Sequence, residues 1–265
     1  FFRLHVNHSL MFSRRLTLLV ILLVTTSCCQ AFGQDSVVHP ERWPTAASPL
    51  GLDDAIETQI TQLLAHMTLR QKVGQVIQAD IGSIKPEDLK EFPLGSILNG
   101  GNSAPGGNNR AAASEWLKLA DDFYQASRQC DLEGGPFIPL LWGTDAVHGH
   151  NNIVGATFFP HNIGLGATRN PQLLRKIGEV TAKEIRVTGQ EWTFAPTIAV
   201  VRDDRWGRTY EGYSENPDVT ASYTGQLIEG IQGVAGGDTF LQGPHVIATA
   251  KHFVGDGGTT AGKDQ

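Results

Sequence analysis

The sequence predicts an α/β fold of the TIM-type (β/α)8 barrel class, with this chain supplying the N-terminal portion. Three observations carry that prediction. Short apolar runs alternate with amphipathic helical segments, the pattern of βα units on a parallel sheet. Polar residues gather just after the apolar runs, where a parallel barrel presents its ligand-binding rim. The 265 residues hold about four or five such units, and a closed eight-unit barrel needs about 250 residues or more, so a truncated barrel is expected.

The elements follow in order. Ile56, Ile60, Leu63, Leu64 and Met67 fall on one helical face. Thr68 and Gln71 have capping-box spacing and open a second helix running through Val73, Val76 and Ile77. Residues 94–98 form a short strand that ends in the turn formers Asn99-Gly100-Gly101-Asn102. Trp116, Leu117, Ala120, Phe123 and Tyr124 mark a third helix. Residues 138–142 are the next strand, leading into Gly143-Thr144-Asp145. Gly164-Leu165-Gly166 lacks the rest of a dinucleotide fingerprint and reads as a turn. Asn170 caps a helix with Pro171 at its first position, and Leu173, Leu174, Ile177, Val180 and Ile185 stripe its inner face. Residues 192–195 are a strand. Asn216-Pro217 repeats the cap-plus-proline device ahead of Val219, Tyr223, Leu227 and Ile231. Residues 246–250 are the last strand.

The first 33 residues read as a targeting segment. Arg14 and Arg15 precede an apolar stretch at 16–24, too short for a comfortable transmembrane helix, and Ala31-Phe32-Gly33 has the small-x-small form of a cleavage site. Met11 is the expected start. A membrane anchor, or a lipoprotein processed at Cys28, is the alternative. Residues 34–50 form an extended lead-in, and 51–265 the barrel portion. Export with cleavage near Gly33 predicts a periplasmic or secreted protein with no membrane contact afterwards.

Composition narrows the partners. The formal charge is −6, which leaves −9 on the rest once the three arginines of residues 1–33 are set aside. An acidic body with no Lys/Arg cluster excludes nucleic acid as the expected partner and suits an uncharged ligand. Cys28 and Cys29 leave with the targeting segment, so Cys130 stands alone, without a disulfide partner or a nearby histidine to activate it.

Three strand ends concentrate chemistry: Trp142 to His150, Arg202 to Tyr213, and Lys251-His252. A parallel barrel brings all three to one rim. Asp145, Arg208, Lys251 and His252 then offer donors and acceptors in a ring, which suits sugar hydroxyls. Trp142 and Trp206 offer apolar faces for the C–H side of a sugar. Structural readings compete at each site. Arg205 and Arg208 have Asp203, Asp204 and Glu211 as possible ion-pair partners, and this reading is favoured for Arg205. Asp145 has the alternative of a helix N-cap. His148 and His161 read as structural histidines. His148 and His150 have the spacing of a zinc pair, but they lie mid-barrel past Asp145 and have no evident further ligand, so no metal or other cofactor is expected.

Gly143-Thr144-Asp145-Ala146-Val147-His148-Gly149, Arg205-Trp206-Gly207-Arg208-Thr209-Tyr210-Glu211 and Lys251-His252-Phe253-Val254-Gly255, in this order, resemble glycoside hydrolase family 3. The run from Leu98 to Gly106 further resembles its bacterial β-glucosidase and exo-1,3/1,4-β-glucan glucohydrolase branch. The resemblance spans residues 52–265. It implies an exo-acting, retaining hydrolase that releases glucose from non-reducing ends of β-glucans or β-glucosides. It implies that Asp145, Arg208, Lys251 and His252 bind hydroxyls of the terminal glucose. It also implies that the nucleophilic Asp lies on a later barrel strand and the acid/base Glu in a second domain, so neither catalytic role falls to a residue up to Gln265. Val254-Gly255-Asp256-Gly257 stands where the family's N-acetylglucosaminidase branch carries a histidine loop, which disfavours that branch. The alternatives are a non-catalytic carbohydrate-binding fragment and a metal-dependent barrel hydrolase.

Overall fold

The computed structural model describes residues 51–101 and 103–264. The expected targeting segment (1–33) and lead-in (34–50) lie outside the described residues.

Helix α1 (Asp54–His66) starts where the Asp53 carboxylate accepts the N–H groups of Ala55 and Ile56. Helix α2 (Leu69–Gln75) starts at the expected capping box, with Thr68 and Gln71 each accepting the other's backbone N–H. It stops two residues short of Ile77. Gly74 is needed bare there, because a Cβ would lie 2.1 Å from the carbonyl oxygen of Pro93.

Five parallel strands follow: β1 (Gln78–Asp80), β2 (Ser96–Asn99), β3 (Leu141–Thr144), β4 (Trp192–Thr193) and β5 (Ile247–Ala248). Each pairs with the next in sequence. A doubly wound open sheet reverses its strand order at a switch point, whereas a barrel winds steadily in one direction. The order β1-β2-β3-β4-β5 is the steady kind. The crossovers carry α3 (Ala113–Ser127) between β2 and β3. The short α4 (Asn162–Ala167) and long α5 (Pro171–Val187) lie between β3 and β4, and α6 (Pro217–Gln232) between β4 and β5.

Two expectations are corrected, and one strand is added. β1 is a strand that the sequence did not announce: Gln-Ala-Asp has no apolar alternation. The strand expected at 138–142 begins only at Leu141, because Pro139 has no N–H to give a ladder. Gly164 and Gly166 lie inside α4 rather than in a turn. Gly166 serves close packing there, since a Cβ would sit 1.8 Å from the Tyr213 carbonyl oxygen.

Two cores flank the sheet. One joins Leu174, Ile177 and Ile185 of α5 to Tyr223, Leu227 and Ile231 of α6. Asn170 accepts from Leu173 N–H and Asn216 from Asp218 N–H, so both helices open at the expected caps. Their axes approach closely through Gly178 and Gly230: a Cβ on Gly230 would lie 2.2 Å from the Arg175 carbonyl oxygen. Gly230→Ala is therefore expected to destabilise by about 1–3 kcal/mol through overpacking. Gly225→Ala on the same helix meets nothing within 4 Å and is expected to stabilise by about 0.5–1 kcal/mol through helix propensity. Denaturant midpoints of the two variants should move in opposite directions.

The second core places Trp142 against Trp116, with ring centroids 6.2 Å apart, and against Phe123 at 5.7 Å. Trp142 is 3% exposed, and its indole N–H donates to Asn99 Oδ1 at 2.8 Å. Trp206, 2% exposed, packs with Ala199 and Val201 beneath the loop at Gly257. Neither indole is available to a sugar, which corrects the expectation that they form its platform. Large aromatics at strand ends satisfy burial before any ligand does.

Candidate functional site

The three polar strand ends meet at one rim. Asp145 lies one residue beyond β3. The chain beyond it forms bends and turns up to α4, so Asp145 caps no helix. Lys251 lies beyond β5, bridged to Thr197 beyond β4, and its carbonyl accepts the Ile198 N–H at 2.7 Å. Arg208 precedes a 3₁₀ turn at Thr209–Glu211. An open cavity of about 420 Å³ is bordered by Asp145, Arg208, Glu211, Lys251 and His252, with His148, His161 and Tyr210 on one side.

The four expected site residues are thus brought together, and each is already partnered. Lys251 Nζ donates to Asp145 Oδ1 at 2.6 Å, and its side chain is only 15% exposed. Arg208 holds Glu211 with two parallel bonds, Nε to Oε1 and Nη2 to Oε2, both 2.7 Å. Arg208 Nη2 also lies 3.1 Å from His252 Nε2, and His252 Nδ1 lies 2.8 Å from Asp256 Oδ2. Burial pushes the Glu211 carboxyl upward, but the Arg208 bonds and the positive charges of Arg208 and Lys251 outweigh it and hold the group below its usual value. Glu211 in turn raises the Arg208 guanidinium further. Asp145, Glu211 and Asp256 are each tied to a cation or an imidazole.

Around the rim, His148 donates from Nδ1 to the Phe159 carbonyl at 2.8 Å. Its ring lies 4.1 Å from that of His161, which in turn meets Tyr210 edge-on at 4.4 Å. Burial, with a smaller repulsion from His148, lowers the His161 pKa against the opposing pull of Glu211 and a backbone hydrogen bond at Tyr210. The structural reading of both histidines therefore has local partners, and both also border the cavity.

His150 goes elsewhere. It is fully buried, and its Nε2 lies 3.0 Å from Thr188 Oγ1 at the end of α5. The Thr188 hydroxyl donates to the Ile185 carbonyl, so its oxygen accepts from His150 Nε2–H. His150 Nδ1 has no partner among the described residues. The two imidazoles do not converge on one point, and no group of three or more potential metal ligands occurs among the described residues.

Burial pushes the His150 pKa down from 6.5 to about 4. The unfolded chain therefore binds a proton that the folded chain refuses between those values. The His150 contribution is fully present above about pH 6.5 and is lost as pH falls toward 4, on the order of 3 kcal/mol. His150→Gln keeps a donor for Thr188 without a titrating group. Its stability should fall less steeply than wild type between pH 6.5 and 4, and parallel urea-midpoint curves would contradict the assignment.

Arg205 pairs with Asp203 at 2.6 Å on the exposed loop, as the ion-pair reading expects. Cys130 borders a cavity of only about 20 Å³, and burial raises its thiol pKa, which leaves it a poor nucleophile. The sequence reading missed Asp256, whose one signal is its place four residues after His252 in a glycine-rich loop.

Residues 68–265 match the glycosyl hydrolase family 3 N terminal domain. The chain belongs to glycosyl hydrolase family 3. Its five-stranded parallel sheet is part of that family's barrel-like α/β domain. The exo-1,3/1,4-beta-glucanase from a Pseudoalteromonas species superposes with a TM-score of 0.78 at 57% identity, over 83% of this chain and 27% of that one. A lysosomal beta glucosidase of Dictyostelium discoideum is 32% identical over 80% of this chain and 27% of its own length. A periplasmic beta-glucosidase of Salmonella typhimurium is 29% identical over 80% of this chain and 25% of its own. The family 3 chain thus spans about a quarter of the length of these relatives.

Proposed function

We propose that this family 3 chain forms the N-terminal, sugar-binding part of a β-glucosidase or exo-β-glucanase, and that the whole protein releases glucose from non-reducing ends of β-glucans or β-glucosides. The observation that carries this reading is the rim itself. Asp145, Arg208, Lys251 and His252 surround one open cavity and alternate acceptors with donors. Sugar hydroxyls exchange for such partners at little cost, because each gives one hydrogen bond and accepts others. The 57% identity to an exo-1,3/1,4-beta-glucanase supports glucose as the sugar and a glucan as its source.

A retaining glycosidase needs two carboxyls about 5–5.5 Å apart, one nucleophile and one acid/base. The rim carboxylates are held in pairs with Lys251, Arg208 and His252, which lowers their nucleophilicity. We therefore give Asp145, Glu211 and Asp256 binding and positioning roles and assign the two catalytic roles to no residue of this chain. Residues 51–265 constitute the barrel portion in this reading. No metal ion is part of it.

Residues 1–33 act as a signal peptide, with cleavage after Gly33 and release into the periplasm or outside the cell. The periplasmic Salmonella relative supports that destination. No described helix is long and apolar enough to cross a membrane. N-terminal sequencing of the mature protein should begin at Gln34, and a lipid-modified Cys28 would mean a tethered protein instead.

The functional test is a substrate panel on the full-length protein. Aryl β-glucoside should be hydrolysed with higher kcat/KM than aryl β-xyloside or aryl N-acetyl-β-glucosaminide, and with β-glucose as first product. A preference for either other sugar, or an α product, contradicts the reading.

A further inference from the structure

The contacts running from Asp256 through His252 and Arg208 to Glu211 allow one consistent arrangement of protons. A guanidinium carries donors on every nitrogen and no acceptor. Arg208 Nη2 lies 3.1 Å from His252 Nε2, so Nε2 presents a lone pair there. The proton of the neutral ring then sits on Nδ1, 2.8 Å from the Asp256 carboxylate. Asp256 is well placed to hold it, being only 11% exposed. On the other flank, Glu211, 12% exposed, fixes the plane of the guanidinium with its two parallel bonds. The other charges nearby are Lys251 with its partner Asp145, and Asp264, which acts on Arg208. Were the proton on Nε2 instead, two donors would face each other at 3.1 Å and the Asp256 carboxylate would face a lone pair.

We propose that Asp256 and Glu211 are positioning residues, fixing His252 as an acceptor at Nε2 and Arg208 as a donor beside it, so that the pair reads one sugar hydroxyl in both its hydrogen-bonding directions. This inference rests on the carbohydrate reading of the cavity. A hydroxyl oxygen entering between the two groups accepts Arg208 Nη2–H and donates its own O–H hydrogen bond to His252 Nε2. A methoxy or deoxy position satisfies only one partner or neither, and leaves the other unpaired in the cavity. The orienting logic is that of a carboxylate behind a ligand-binding histidine, which selects the tautomer of the ring it backs.

The tautomer is directly measurable. The full-length protein is labelled with nitrogen-15 histidine, and two-bond nitrogen–proton correlations are recorded at neutral pH. The His252 signals are identified by their loss in His252→Gln. A protonated Nδ1 with an unprotonated Nε2 is expected, and a protonated Nε2 overturns the proposal. Asp256→Asn keeps an acceptor oxygen and should retain this pattern, whereas Asp256→Ala should give averaged signals from both tautomers. The same pattern in Asp256→Ala as in wild type overturns the role of Asp256. Thermal unfolding of each variant separates loss of the fold from loss of the lock. Asp256→Ala should also lower kcat/KM for an aryl β-glucoside by about tenfold, with Asp256→Asn recovering most of it, the change equivalent to one charge-assisted hydrogen bond. Kinetics unchanged in Asp256→Ala would likewise overturn it. Because the tautomer is read without substrate, a protein that hydrolyses no glycoside counts against the proposed function and not against this arrangement.

Discussion

Lys251→Ala in the full-length protein is expected to lower kcat/KM for an aryl β-glucoside by about ten- to a hundredfold. The ammonium group is 2.6 Å from Asp145, and its side chain is largely buried at the rim. Removing it leaves a hydroxyl of the bound sugar and the Asp145 carboxylate without their shared cation. A lost hydrogen bond to a charged partner costs about 1.5–3 kcal/mol, which is the stated range in rate. If the contact strengthens as charge develops on the sugar, kcat falls with kcat/KM rather than KM rising alone. The same ion pair also fits a purely structural role, closing the β5 end against the β3 end. The magnitudes separate the two. Asp145 is 40% exposed and stays hydrated without Lys251, so the stability loss should be about 1 kcal/mol or less. A large fall in thermal stability with near-wild-type kinetics would show that Lys251 only braces the barrel.

Trp142→Ala is expected to cost about 3–5 kcal/mol of stability. The indole fills the space between Trp116 and Phe123, and its N–H satisfies the buried Asn99 Oδ1. Asn99 is fully buried and donates to Thr144 Oγ1, so truncation also loosens the link between β2 and β3. Trp142→Phe keeps most of the packing and orphans only the amide oxygen, for about 1–3 kcal/mol. Denaturant midpoints should rank wild type above Trp142→Phe above Trp142→Ala. If Trp142→Ala kept wild-type stability but lost sugar binding, the indole would be a platform after all.

Helices that carry their own start signals were legible in the sequence. Asn170-Pro171 and Asn216-Pro217 fix α5 and α6 because a cap and a proline act within one turn and need no tertiary partner. The strands were legible as apolar runs but not in their limits, because ladder pairing decides where a strand begins. Pro139 delays β3, and β1 exists only through its pairing with β2. α4 was hidden by its glycines, which read as a turn and serve close packing instead. At the site, the residue types and their strand-end positions pointed to Asp145, Arg208, Lys251 and His252, since a parallel barrel converges such ends. Their pairing was only partly legible. Glu211 stood among several acids near Arg208, and Asp256 became a partner of His252 only through the fold of the glycine-rich loop. Trp142 and Trp206 misled because an aromatic at a strand end looks the same in sequence whether it faces the cavity or the core.

Crystals of the full-length protein soaked with glucose should hold one glucose in the cavity, its hydroxyls within about 2.7–3.2 Å of Asp145, Arg208, Lys251 and His252, with the Arg208–His252 contact opened by a hydroxyl. Glucose bound elsewhere, with the Lys251–Asp145 and Arg208–His252 contacts undisturbed, would contradict the sugar-binding role of this rim.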